Sequence, residues 1–259
     1  MNKFILLICI TSILINQFPI KVLPQEDSNN KPIELDVKKE DISLTDNIQV
    51  AKAQVEKYPD NPEAHFNLAI ALSRTSFVEE AIEELRETKI LIRKPENTGF
   101  IDKKIKEYEE MLKNDTGANN IRYRLGFCHY LKAYFLVKEL EKKNKKKVKS
   151  KNIFESNKLY IESNDPMIKK TLEISIGYFK ELLSNDPQDT SAKIYLAFIL
   201  AEQFNEKEKA KELWNEVLND NPENPAPYFF LGELHIKEGN LKEGLTKIGQ
   251  ALLLRAQGH

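Results

Sequence analysis

Residues 186–222 read DPQDTSAKIYLAFILAEQFNEKEKAKELWNEVLNDNP, and residues 221–256 read NPENPAPYFFLGELHIKEGNLKEGLTKIGQALLLRA. Set one beneath the other, they share a skeleton. Asp186-Pro187, Leu196-Ala197, Ala210, Trp214, Val217 and Asn221-Pro222 mark the first. Asn221-Pro222, Leu231-Gly232, Gly244, Ile248 and Ala251 mark the second. Pro187 and Pro222 lie 35 residues apart, and so do Leu196 and Leu231. A fixed period of this size marks a small unit that cannot bury its apolar face alone and stacks on copies of itself. The product is a solenoid.

Each unit reads as two helices joined by a short turn. Leu231, Leu234 and His235 recur three and four apart, one stripe of a helix. Gly239-Asn240 supplies a turn in which positive φ is tolerated. Leu241, Leu245, Ile248 and Leu252 form the stripe of the second helix. Gly232, Gly244 and Ala251 are small where two backbones have to approach closely. The prolines after Asp186 and Asn221 are expected to open the next helix, since proline's missing N–H is not needed there.

These residues resemble the tetratricopeptide repeat. Its pattern places an aromatic, Leu-Gly and a second aromatic on the first helix, then Ala, an aromatic, Ala and Pro on the second. The stretch at 225–256 carries Tyr228, Leu231-Gly232, His235, Gly244, Ile248 and Ala251. The stretch at 190–222 carries Leu196-Ala197, Leu200, Ala210, Trp214, Val217 and Pro222. An earlier stretch at 62–95 carries Phe66, Leu68-Ala69, Leu72, Ala81, Leu85, Thr88 and a late Pro95. A fourth, at 119–187, is split by an insertion at 142–165. Leu125-Gly126 and His129 stand before the insertion, and Ser175, Phe179, Leu182 and Pro187 after it. The resemblance implies an all-α solenoid of helix pairs with irregular extra helices, filling 45–259.

It also implies a concave groove lined by the first helices. Carried over position by position, the lining is Phe66, Ile70 and Arg74, then Tyr123, Phe127 and Tyr130, then Ile194, Phe198 and Glu202, and finally Phe229, Glu233 and Lys237. Chaperone-binding members of the family clamp a peptide carboxylate here with Lys and Asn, which this set lacks. An apolar, aromatic groove suits an amphipathic helix or an extended apolar segment instead. The alternative is a tightly wound superhelix that buries these residues against neighbouring repeats.

Composition narrows the rest. With 31% charged residues, a net charge of −1 and 9 glycines in 259 residues, the folded part is water-facing and lacks β-turn chemistry. No global field attracts nucleic acid, and no nucleic-acid partner is expected. Met1-Asn2-Lys3 precedes the apolar run Phe4 to Ile15, the length of a signal-peptide core and too short to span a membrane. Residues 1–23 therefore read as a signal peptide or N-terminal anchor, and the polar stretch 24–44 as a linker. The expected location is periplasmic, extracellular or membrane-anchored. Ile48, Ala51, Val55 and Tyr58 make a capping half-repeat, and Ile101, Ile105, Tyr108 and Leu112 an out-of-phase helix.

Lys138 to Lys151 holds eight lysines, which read as a solvated continuation of the preceding helix. Within it, Lys142 to Lys151 could meet an anionic surface. The insertion's apolar end, with Phe154, Leu159, Tyr160 and Ile161, is expected to fold over the groove.

A search for chemistry returns little. His65, His129, His235 and His259 show no metal-ligand spacing. His129 and His235 sit at the family's second aromatic position and read as packing residues. Cys128 reads as a small buried apolar group, with no disulfide framework. Glu79-Glu80 and Glu83-Glu84 read as a solvated helix face. No phosphate loop, nucleophile elbow or cofactor motif is present, so no cofactor and no catalysis are expected. The reading is a non-catalytic scaffold or adaptor in the cell envelope, holding a protein or peptide partner. Its rivals are an accessory subunit of an envelope enzyme or assembly machine, and an enzyme.

Overall fold

The structure, a computed structural model, describes residues 47–147, 165–203 and 206–257. The expected export segment and linker, up to residue 46, and the apolar part of the insertion lie outside the described residues. Among those described are ten α-helices and no strand. They are α1 (Ile48–Lys57), α2 (Pro62–Ser73), α3 (Val78–Leu91), α4 (Phe100–Asn114), α5 (Asn119–Lys147), α6 (Pro166–Asn185), α7 (Thr190–Gln203), α8 (Lys207–Asp220), α9 (Pro225–Lys237) and α10 (Leu241–Ala256). The molecule is an all-α solenoid, with α2/α3, α5/α6, α7/α8 and α9/α10 as its antiparallel pairs.

Local chemistry sets the helix starts. Asn61, Asp165 and Asn224 cap α2, α6 and α9, and each is followed by proline as the first helical residue. The Asn61 side chain accepts from Glu63 N at 2.8 Å, and that of Asn224 from Ala226 N at 3.0 Å. Pro187 and Pro222 play a different part from the one expected of them. They lie in the turns before α7 and α9, which begin three residues later, at Thr190 and Pro225. In those turns Asp186 and Asn221 accept from the backbone of Gln188 and Glu223, local bonds that delay the helix.

Pairing depends on small residues at the crossings. A Cβ on Gly232 would stand 2.8 Å from Gly244 O, and one on Gly244 would stand 2.7 Å from Gly232 O. The split repeat closes in the same way, across an insertion of more than twenty residues. A Cβ on Gly126 would meet the Phe179 ring at 2.5 Å, and Ser175 Oγ donates to Gly126 O at 2.6 Å. The lysine-rich stretch continues α5 as far as Lys147, and Lys142 there pairs with Glu139 at 2.7 Å.

The irregular helices complete the body. Ile48, Ala51 and Val55 of α1 pack on Leu68, Ala71, Leu72 and Ala81, covering the first pair. On the next helix, α4, Ile101, Ile105 and Tyr108 are buried, and the helix packs against α5. Its Lys104 reaches Glu63 of α2 at 2.5 Å and Glu107 at 2.9 Å, so α4 is keyed into the stack by a buried ion cluster.

One expectation fails on α10. Its buried positions are Gly244 and Ala251, while Leu241, Leu245 and Leu252 of the expected inward stripe are 46–50% exposed. Small residues let α10 sit so close to α9 that the buried seam is narrow, and the leucines fall beside it.

Glycine-to-alanine substitutions separate the two kinds of glycine. Gly232→Ala and Gly126→Ala should each lower unfolding free energy by about 1–3 kcal/mol through overpacking. Gly177→Ala, on α6 with nothing within 4 Å of its Cβ, should raise it by about 1 kcal/mol through helix propensity. Urea titration followed by circular dichroism reads all three.

Candidate partner-binding face

The first helices α2, α5, α7 and α9 bring the expected lining residues together, but not as an open groove. Phe66, Ile70, Tyr123, Phe127, Tyr130, Ile194 and Phe198 are each at most 7% exposed. Tyr123 and Phe127 meet edge to face at 5.2 Å between centroids. Both rings lie 5.5 Å from Phe179, and Phe127 lies 5.1 Å from Tyr195. Phe230 stacks on Trp214 at 5.6 Å with planes 4° apart, and Trp214 Nε1 donates to Ile194 O at 3.1 Å. These aromatics form the interior between successive repeats. The expectation that all twelve residues face a partner is thereby corrected: large rings on tightly stacked helices gain more from burial against each other than from lining an open channel.

Arg74, Glu202, Phe229, Glu233 and Lys237 keep exposure, and they form a mostly charged rim around that aromatic floor. The Arg74 guanidinium lies 3.6 Å from the centre of the Tyr123 ring and 2.6 Å from Asp189, which caps the start of α7 two pairs further on. Glu202 accepts from Lys237 at 3.1 Å and from the Tyr130 hydroxyl at 3.5 Å.

The second helix α3 contributes what the sequence did not suggest. Lys89 donates to Tyr130 Oη at 2.7 Å and lies 4.9 Å from the centre of the Tyr134 ring. Arg255 of α10 pairs with Glu79 at 3.2 Å and with Glu80. Glu84 meets His65 Nδ1 at 2.6 Å. Glu79, Glu80 and Glu84 are therefore engaged rather than solvated: Arg255 of α10 reaches the first two, and His65 of α2 the third.

Burial dominates the electrostatics of this face. It brings the Lys89 ammonium down to about 8, aided by the neighbouring charges of Arg86 and Lys138 and opposed by Glu202. It also raises the Glu233 carboxyl, against the pull of Lys237. Lys237 is raised, because Glu202 and Glu233 together outweigh its own burial.

Nothing on this face assembles a nucleophile with a base. Cys128 is buried, and burial pushes its thiol up to about 12. His129 stacks on Tyr178 at 5.6 Å between ring centres, a packing role. Its partner in the sequence argument, His235, lies 3.9 Å from Glu243 in the last pair. Among the described residues no group of His, Cys, Asp and Glu is placed to hold a metal ion.

The chain is a solenoid of tetratricopeptide-like helix pairs. No protein-family model and no curated protein matches it. Solved structures that resemble it include MamA, at 15% identity over 85% of this chain and 94% of that one, with a TM-score of 0.36. A second is YrrB, titled a TPR protein with an unusual peptide-binding site, at 16% identity over 81% and 94% with a TM-score of 0.29. A third is a monomeric mutant of IFIT1 with Gppp-AAAA, at 14% identity, with 80% of this chain aligned to 57% of that one and a TM-score of 0.35. Likeness this low transfers no ligand to this chain.

The histidines give a pH test. Burial lowers His129 to about 4, Lys132 adding to it and Asp102 opposing. The unfolded chain therefore takes up this proton first, and stability is lost as pH falls from about 6.5 towards about 4. His65 shifts upward: burial pulls it down, but its bonds to Glu84 and Pro59 O and the charges of Glu84 and Glu87 outweigh that. Its contribution is present at low pH and fades as pH rises through its raised pKa. His129→Phe keeps the stack on Tyr178 and should reduce the stability loss between pH 7 and pH 4.5 by up to about 2 kcal/mol. Urea midpoints of wild type and variant at the two pH values measure it.

Proposed function

We propose that this protein is a non-catalytic interaction scaffold or adaptor that works outside the cytoplasm and binds a protein or peptide on the charged rim of its first-helix face. The observation that carries the reading is the Arg74, Glu202, Phe229, Glu233 and Lys237 rim, in which charged side chains of both signs and one partly exposed aromatic stay accessible on the first helices. Such a rim offers donors, acceptors and an apolar side chain to a partner, which gives register and specificity. The apolar run Phe4 to Ile15 supports export. The architecture alone does not fix the function.

Because Phe127 is buried, the rim and not the aromatic floor is the place to test. Envelope extract passed over immobilised wild type and over Lys237→Glu should yield a partner from the first and several-fold less from the second. Equal recovery would remove the rim from the account. A fusion of residues 1–44 to a reporter that works only outside the cytoplasm should be active, and an inactive fusion would overturn the compartment.

A further inference from the structure

Lys89 is a half-buried cation to which the described residues offer no counter-ion. Its ammonium donates to Tyr130 Oη at 2.7 Å and lies 4.6 and 4.9 Å from the centres of the Tyr130 and Tyr134 rings. Both of these partners are neutral. The acid whose charge reaches it, Glu202, stands beyond the Tyr130 hydroxyl and is held by Lys237 at 3.1 Å.

The other charges beside Lys89 share its sign. Arg86 stands one turn before it on α3 and is exposed, and the Lys138 ammonium lies 5.7 Å from the centre of the Tyr134 ring. Burial first, and then Arg86 and Lys138, outweigh Glu202 and bring the Lys89 ammonium down to about 8. Lys104 shows how the same fold treats a structural lysine. It is buried too, but Glu63 and Glu107 meet it at 2.5 and 2.9 Å. A buried cation is costly unless paired, so the missing anion at Lys89 is the informative observation.

The cluster sits on two facing stripes. Tyr130, Tyr134 and Lys138 recur every four residues on α5, Arg86 and Lys89 stand three apart on α3, and α3 packs against α5. Arg86, Lys89, Tyr134 and Lys138 all keep some exposure, so a ligand can reach them. Glu202 shows which group fits: its carboxylate already approaches the Tyr130–Lys89 pair from the far side, at 3.5 Å from Tyr130 Oη. Cations strung along two stripes suit carboxylates spaced along a chain, whereas a single phosphoryl group asks for donors that converge on one point. We propose that Arg86, Lys89 and Lys138, over the Tyr130 and Tyr134 rings, form a binding site for an acidic peptide segment. The inference rests on the reading of this protein as a peptide-binding scaffold and names the chemistry of its partner.

Fluorescence anisotropy of a labelled glutamate-rich peptide with the full chain at low salt tests it. Lys89→Met should weaken binding about 10-fold or more, and the exposed Arg86→Ala several-fold, with helical circular dichroism intact. Glu202→Gln removes the competing carboxylate and should tighten binding, a gain that a lysine serving only the fold would not give. Wild-type affinity should fall as pH rises through about 8, where Lys89 loses its proton among Tyr130, Tyr134, Arg86, Lys138 and Glu202, and Lys89→Met should lack that step. A wild type that ignores the peptide overturns the proposal, and so does a folded Lys89→Met that binds it equally well. Equal binding of a lysine-rich peptide would also overturn it, as would tighter binding of inorganic phosphate than of the peptide. Loss of a partner on Lys237→Glu, with the glutamate-rich peptide unbound, would sink this inference and leave the scaffold reading standing.

Discussion

Everything in this fold depends on how closely two helices of a pair can approach. At the last pair the carbonyls of Gly232 and Gly244 occupy space that a Cβ on the facing helix would need. At the split pair the Phe179 ring fills the place of a Gly126 side chain. Close approach narrows each pair, so successive pairs stack through large residues: Tyr123, Phe127, Tyr195, Phe198, Phe230 and Trp214. Small residues within pairs and large ones between pairs are one arrangement, because the depth gained at the first contact has to be filled at the second.

That arrangement also decides what is left for a partner. The aromatic residues that a looser superhelix would present are taken up as core, and recognition passes to the side chains long enough to emerge around them. Arg74 covers the Tyr123 ring and reaches Asp189, while Lys237 and Tyr130 converge on Glu202. From α3, Lys89 and the Glu79–Glu80 pair tie the first repeat to α5 and to α10. The contacts of Arg255 with Glu79 and Glu80, 176 and 175 residues apart in sequence, join the ends of the described stack. They are electrostatic and partly exposed, so they weaken with salt more readily than the aromatic core does.

The split repeat shows how modular the architecture is. More than twenty residues enter between α5 and α6, yet Ser175 still finds Gly126 O and Phe179 still lies over Gly126. A loop closed between two helices that already pack costs little more when it lengthens. The added helix α4 is accommodated differently, through the buried cluster of Lys104, Glu63 and Glu107, a polar contact that specifies where an out-of-register element sits.

The sequence by itself determined the class of the fold, the pairing of helices and the positions of their crossings. Period, small residues and apolar spacing are local properties, and Leu196-Ala197, Leu231-Gly232 and Gly244 carry them without reference to the rest of the chain. It also marked His129 and Cys128 as packing residues, the first by its place in the repeat pattern and the second as a lone small apolar group in an aromatic-rich helix. Only the tertiary structure decided which apolar residues are interior. Phe127 was expected to line a groove and Leu245 to stand on a packing stripe, yet the first is 0% and the second 46% exposed. The difference is set by how far each pair is rotated against its neighbour, and by whether a neighbour is there. Superhelical rotation accumulates from many weak contacts between repeats and leaves no motif. For the same reason the roles of Glu79, Glu80 and Arg255 were not legible: a charge on a helix surface reads as solvated until the fold brings its partner around.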